Sequence, residues 1–461
     1  MSKKLKILHI GNIAGNAYLN AKFLRGQGLV VDVISHDYSD LISSPEWFDA
    51  RTQEKDVSEI LKTGNTKNID LKFKRPSWYI SGSLEEISKK YGYSYIFSVL
   101  LIQKNFANHF FKKRVGNLNY LWLKICQRFN PYWQIMSIKE YHYYQSLIKK
   151  FSKFFPERSD QLTIQDIIPY TNAVRAFKHI FEKYNLVQAY ATEPIYTLLA
   201  NKRPYIAYEH GTIRDLPFED SAQGRLTALA YRMADFVLIT NPDNIRAAKK
   251  LNLKKFNSIP HPITEKWVKE KIKMPKDKSF NLFCPSRHDW DMKNTHYFIH
   301  AFAKILKKTK KPVTLILVKW GSNIKKSQSL IKKLGIEKHV KWIELTPKNL
   351  YFQNIARSNV VLDQVYWVGM GGIVPEAMLF GKPVLVSYDA KLCQWMFPDP
   401  PPVLSVFTID DIYKTIVDLL EKPKKAKEIG KEGQKWFNKY HSKKIIVKKH
   451  LEIYKKLLKG I

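Results

Sequence analysis

Short apolar runs alternate with stretches whose apolar positions recur every third or fourth residue over most of the chain. "LKILHIG" (5–11) reads as a buried strand ending in glycine, "NAYLNAKFLRGQG" as a helix closed by glycine, and "LVVDVISHD" as the next strand. Together they form one βαβ unit, the opening of a doubly wound sheet. The same rhythm returns with "LVQAYAT", "RPYIAYEHGT", the helix "GRLTALAYRMA", the strand "DFVLITN" and a last short strand in "NSIPHPIT" (257–264). Residues 262–278, charged and proline-containing, read as an interdomain linker. A second series follows in "FNLFCPSR", "VTLILVKW", "VKWIEL", "NVVLDQV" and "KPVLVS", each separated by a helical stretch.

The pattern predicts an α/β protein of two Rossmann-like doubly wound domains: 1–265, then 266–440. Residues 441–461 read as an amphipathic helix, a candidate to pack back on the first domain. From about 77 to 155 the βα rhythm stops and aromatic residues crowd among lysines, which predicts a helical insertion over about 77–160.

With 461 residues, two or three domains are the default, because single cores stop growing below that length. Cys126, Cys284 and Cys393 are odd in number and far apart, fitting neither a disulfide framework nor a zinc cluster. A reducing cytoplasm is the expected location. No apolar run approaches the roughly 18–20 residues of a membrane span; "YIFSVLLI" (95–102) is too short. The formal net charge of +36 favours polyanionic partners: nucleic acid, an anionic membrane surface or a phosphorylated substrate. Zinc-finger spacing, RNA-binding strand signatures and basic tails are missing, which argues against specific nucleic-acid recognition.

The chemistry concentrates in "GGIVPEAMLFGKPVL" (371–385). Gly371 and Gly372 let the backbone approach a ligand, and free amides at the following helix start favour an anion. Glu376, in the first turn, suits ligand hydroxyl groups; its other reading is a partner of the helix dipole. A ligand bearing both phosphate and hydroxyls, such as a nucleotide sugar, satisfies the first reading. The first βα turn, "GNIAGNA", lacks the full G-x-G-x-x-G spacing, so a nicotinamide cofactor is weakly supported.

Two Rossmann-like halves with "PEAMLFGKPVL" late in the second resemble GT-B glycosyltransferases, most closely the retaining family 4. The resemblance implies that Arg287 and Lys293, in "CPSRHDWDMK", contact the donor diphosphate and that Glu376 contacts ribose. It also implies that Gly371, Gly372 and Ile373 face phosphate and sugar. His210, in "YIAYEHGTIRDLPF", matches the family's cleft histidine, and Gly15 the glycine that opens the cleft toward the donor. Glu209 and Arg214 share the loop of His210 as candidate contacts to acceptor or phosphate, or as a structural ion pair. The family's Glu-x7-Glu motif is incomplete, because Val368 stands where the first glutamate belongs; "LDQVYWVGMGG" resembles a branch in which "DQ" replaces Pro-Ser.

"DWD" (289–291) resembles the metal motif of another glycosyltransferase fold. Between Arg287 and Lys293 it reads as loop, since cations neutralise a leaving diphosphate without a metal. The expectation is therefore a metal-independent, retaining glycosyltransferase without cofactor, using a nucleotide diphosphate sugar and a hydroxyl acceptor in cell-envelope glycan or glycolipid synthesis. The basic aromatic segment, with Lys112, Lys113 and Arg114, is a candidate for docking on the inner membrane face. The alternative is a non-catalytic basic Rossmann scaffold that binds nucleic acid or membrane.

Overall fold

The computed structural model describes residues 5–36, 41–63, 72–93, 136–270, 272 and 279–458. Two parallel sheets follow one another along the chain. The first contains β1 (Lys6–Ile10), β2 (Val30–His36), β3 (Tyr79–Gly82), β4 (Leu186–Tyr190), β5 (Tyr205–Tyr208), β6 (Phe236–Ile239) and β7 (Phe256–Ser258). The second contains β8 (Phe280–Cys284), β9 (Val313–Val318), β10 (Val340–Ile343), β11 (Val360–Leu362), β12 (Val384–Val386) and β13 (Leu404–Ser405). Their orders are β3-β2-β1-β4-β5-β6-β7 and β10-β9-β8-β11-β12-β13.

Each order reverses direction once, between β1 and β4 and between β8 and β11, and all pairings are parallel. Helices cover both faces, so strands such as β4 are buried along their whole length and read as apolar runs. At each reversal the loops leaving the strand ends diverge and open a crevice, the usual ligand position in open α/β sheets.

Two elements depart from the expected pattern. The stretch predicted to lack strands contains β3, which pairs with β2 from Val33–Tyr79 to His36–Gly82. Its four residues are too few to show alternation in an aromatic segment. The two-residue β13, paired with β12 at the other sheet's edge, was likewise invisible. The helix Ile138–Phe154 follows, started by a Ser137–Glu140 capping box and seated by Tyr144, Leu147 and Phe151. Residues 94–135, with Cys126, Lys112, Lys113 and Arg114, lie outside the described residues, as do 271 and 273–278 of the linker.

The chain crosses between domains a second time near His441. The helix Pro423–Tyr440 packs on the second domain, where a Cβ on Gly430 would lie 2.0 Å from the Gly381 carbonyl oxygen, so only glycine permits the approach. The helix Lys443–Leu458 returns to the first domain. There Ile446, Val447, Ile453 and Tyr454 join the apolar cluster of Ile7, Leu19, Leu24 and Val31. A buried polar network fixes its register: Tyr454 hydroxyl bonds His9 Nε2 (3.0 Å) and donates to Gln188 Oε1 (2.9 Å), and Gln188 Nε2 meets His450 Nε2 (3.3 Å).

Candidate active site

The C-terminal strand ends of both sheets face one cavity of about 420 Å³, within the usual range for small-molecule sites. The first domain contributes Ala14 and Asn16 after β1, His210, Gly211 and Arg214 after β5, Asn241 after β6 and His261 after β7. The second contributes Ser286, Arg287 and Lys293 after β8, Trp320 after β9, Lys348 and Tyr351 after β10, and Gly371, Gly372, Ile373 and Glu376 after β11.

On the second-domain wall, a Cβ added at Gly371 or Gly372 would meet nothing within 4 Å. These glycines present bare backbone to the cavity. The short helix Ile373–Leu379 begins there with Glu376 in its first turn. Glu376 is buried; Lys348 Nζ donates to its Oε1 and Tyr351 hydroxyl donates to Oε2 (2.8 Å). An ionised carboxylate retains lone pairs for further donors, so a ligand hydroxyl fits there too.

Lys293 is largely buried and forms no ion pair among the described residues. Burial lowers its pKa; Asp363 opposes that shift, while Arg287 and Arg214 add to it. Asp363 is itself buried, which raises its pKa, and it accepts from Ser286 Oγ (3.0 Å) while its second oxygen has no hydrogen-bond partner. Arg287 is half exposed beside Asp289 (3.1 Å).

Asp289 Oδ1 also accepts from the Met292 amide (3.0 Å), and Asp291 is exposed. The "DWD" residues therefore shape and edge a loop.

Gln364 gives the "DQ" pair a structural meaning. Its Oε1 accepts from the amides of Tyr366 (2.9 Å) and Trp367 (2.6 Å), and its Nε2 donates to the Trp367 carbonyl. This staple folds the 364–367 turn just ahead of Val368, which does not line the cavity.

On the first-domain wall, His210 Nε2 lies 3.4 Å from Asn16 Nδ2, and its ring meets His261 edge-on at 5.2 Å. Burial pushes its pKa down to about 4, so the imidazole is neutral near pH 7 and serves as a hydrogen-bonding group.

Two expected contacts lie behind the cavity wall. Glu209 is fully buried, and its carboxylate accepts from the Gly211 amide, the Thr240 amide (3.2 Å) and Asn244 Nδ2 (2.6 Å). It holds the loop of His210 from beneath and does not line the cavity. Gly15 is buried at φ 71°, and a Cβ there would sit 2.1 Å from the Phe48 ring. It packs Phe48 against the turn, while its neighbours Ala14 and Asn16 line the cavity. Sequence reasoning missed Lys348, Tyr351, Asn16 and His261, which carry no motif of their own.

Two facing Rossmann-like domains that share one cationic, glycine-lined crevice are the architecture of the GT-B fold. Residues 266–436 match the family described as glycosyl transferases group 1. No curated protein sequence matches the chain. Among solved structures it is similar to sucrose-phosphate synthase from Thermosynechococcus elongatus (13% identity, TM-score 0.59, 99% of this chain and 100% of that one). It is also similar to Anabaena HepE in complex with UDP (19%, 0.53, 65% and 85%) and to S. aureus TarM (12%, 0.56, 98% and 99%). The protein thus has the two-domain GT-B fold, and its second domain carries the stretch that matches the group 1 glycosyl transferases.

Proposed function

We propose that the protein is a retaining, metal-independent hexosyltransferase that moves a sugar from a nucleotide diphosphate sugar to a hydroxyl acceptor in cell-envelope glycan or glycolipid synthesis. The observation that carries this reading is the meeting of Arg287, Lys293, Glu376 and the Gly371–Gly372 backbone with His210 in one cavity. Arg287 and Lys293 neutralise the charge that grows on the departing diphosphate, and their preorganised donors act strongly in a site that excludes water. Glu376, steadied by Lys348 and Tyr351, receives the ribose hydroxyls. Neutral His210 orients the reacting sugar from the opposite wall.

Retention rests on the resemblance to the retaining family, and the lining of the cavity accords with it. Among the described residues lining the cavity Glu376 is the only carboxylate, and Lys348 and Tyr351 hold it. The departing phosphate oxygen then takes the acceptor proton on the face it leaves, so the new bond forms on that face. Metal independence is supported by the paired cations and by the engagement of Asp289 with Arg287. Action at the inner membrane face rests on the strong positive charge; among the described residues no helix is long and apolar enough to cross a membrane.

The test is turnover of a panel of nucleotide sugars with and without a chelator, followed by NMR of the product anomer. An inverted product, or activity that returns only with a divalent metal, refutes the corresponding part of the reading. Co-sedimentation with anionic but not neutral vesicles checks the membrane role.

A further inference from the structure

Arg214 belongs to the first domain, yet its position is built by both domains. Its Nε donates to Asp243 Oδ2 (2.8 Å), and its guanidinium carbon lies 4.1 Å from the ring centroid of Trp367, a second-domain residue. Asp243 is seated across the same boundary: a Cβ on Gly369 would lie 3.1 Å from Asp243 Oδ1. Trp395 Nε1 donates to the Pro242 carbonyl beside it (2.8 Å). The planar guanidinium is thus stacked on one face and tethered at one nitrogen. Its remaining N–H donors have no partner among the described residues, and the side chain lines the cavity. Arg214 is also near enough to Lys293 that it opposes the ammonium charge, as Arg287 does.

Three cations from two domains therefore converge on one cavity whose only lining carboxylate, among the described residues, is already held by Lys348 and Tyr351. Like charges brought together at a partly buried point repel, and a multiply charged anion between them relieves that repulsion. We infer that Arg214 is a third cationic contact to the diphosphate of the donor, supplied across the cleft by the acceptor-side domain. This rests on the nucleotide-sugar reading and deepens it. The diphosphate then joins the two domains by charge, and the Arg214–Trp367 stack is the part of the boundary that its arrival tightens. A guanidinium suits the task because its planar fork meets two phosphate oxygens while its face stays on the indole.

The experiment compares binding of a nucleoside diphosphate with binding of the matching monophosphate. Wild type, Arg214→Gln, Arg214→Lys and Trp367→Leu are measured by calorimetry at two salt concentrations, with Arg287→Ala and Lys293→Ala as references. The expected result is a loss of about tenfold or more in diphosphate affinity for Arg214→Gln, with monophosphate affinity nearly unchanged. Arg214→Lys should recover part of the loss, and Trp367→Leu should show a smaller loss of the same kind. Equal weakening of both nucleotides, or no weakening of either, overturns the assignment. If the two reference variants lose diphosphate binding and Arg214→Gln does not, the donor site stands and the third contact falls. A wild-type protein that binds neither nucleotide refutes both the donor site and this contact.

Discussion

Lys348 and Glu376 form an ion pair at the edge of the cavity, on which the Tyr351 hydroxyl closes from the other carboxylate oxygen at 2.8 Å. Both partners are mostly shielded from water, with side chains 17% and 8% exposed. Removing one partner strands a charge, so Lys348→Met should destabilise the protein by roughly 3–5 kcal/mol. The double variant with Glu376→Gln should recover much of that stability and remain poor in donor KM. Denaturant unfolding together with steady-state kinetics on the four proteins checks this, and a double variant no more stable than Lys348→Met contradicts it.

Lys293 presents the opposite balance, a largely buried cation with no ion pair among the described residues. Lys293→Met should raise the stability of the unliganded protein by about 1 kcal/mol. The same change should remove roughly 2.7–4 kcal/mol of transition-state stabilisation. Thermal melts without nucleotide and kcat/KM measured on the same preparation should move in opposite directions.

Asp289 and Asp291 should be dispensable for chemistry. Asp289→Asn weakens its hold on Arg287 and on the Met292 amide, a capping loss of about 1 kcal/mol or less, and Asp291→Asn changes an exposed side chain. Turnover of the double variant should stay within about threefold of wild type, a difference well under 1 kcal/mol.

Gly15→Ala should act through Phe48. A methyl group placed 2.1 Å from the ring, on a backbone at φ 71°, forces the ring or the turn to move. Phe48 also lines the cavity, so donor KM should rise along with a stability loss of about 1–3 kcal/mol. Unchanged values for both would mean that the turn absorbs the methyl group freely.

Acid should loosen the contact of the C-terminal helix with the first domain. Burial lowers the pKa of His9 to about 3 and that of His450 to about 4, with the neighbouring His450 adding to the His9 shift. Both folded values lie below the unfolded value of 6.5, so the stability they allow is complete above pH 6.5. It falls as pH drops toward 4 and then 3, by about 1.4 kcal/mol per unit for each histidine. His450→Gln should flatten the fall in unfolding free energy between pH 6.5 and 4.5.

The architecture was legible where the chain repeats itself. Apolar runs marked β1, β2, β4, β5 and β6 and most of the second sheet, because strands buried on both faces need an unbroken apolar sequence. The edge strands β3 and β13 were not legible, since their short partnerships depend on a neighbour and not on a pattern of their own. In the site, Glu376 stood out in its glycine-lined helix start, Arg287, Lys293 and His210 stood out through the resemblance to the family, and the fold brings all four to one cavity. Lys348 lies 28 residues from Glu376, and Asn16 lies 194 from His210. Such meetings arise from sheet order, which local sequence does not encode. Glu209 misled for the opposite reason: adjacency to His210 says nothing about direction, and hydrogen bonds from Gly211, Thr240 and Asn244 hold its side chain inward just past β5.

The return of the helix Lys443–Leu458 to the first domain also bears on how the protein is made. A domain translated early ordinarily reaches its final form while later segments are still being synthesised. Here the face formed by Ile7, Leu19 and Val31 receives its cover, and His9 and Gln188 their hydrogen-bond partner Tyr454, only after the whole second domain has emerged. The half begun first is therefore completed last, and a ribosome stalled anywhere in the second domain leaves an apolar face that a chaperone must guard.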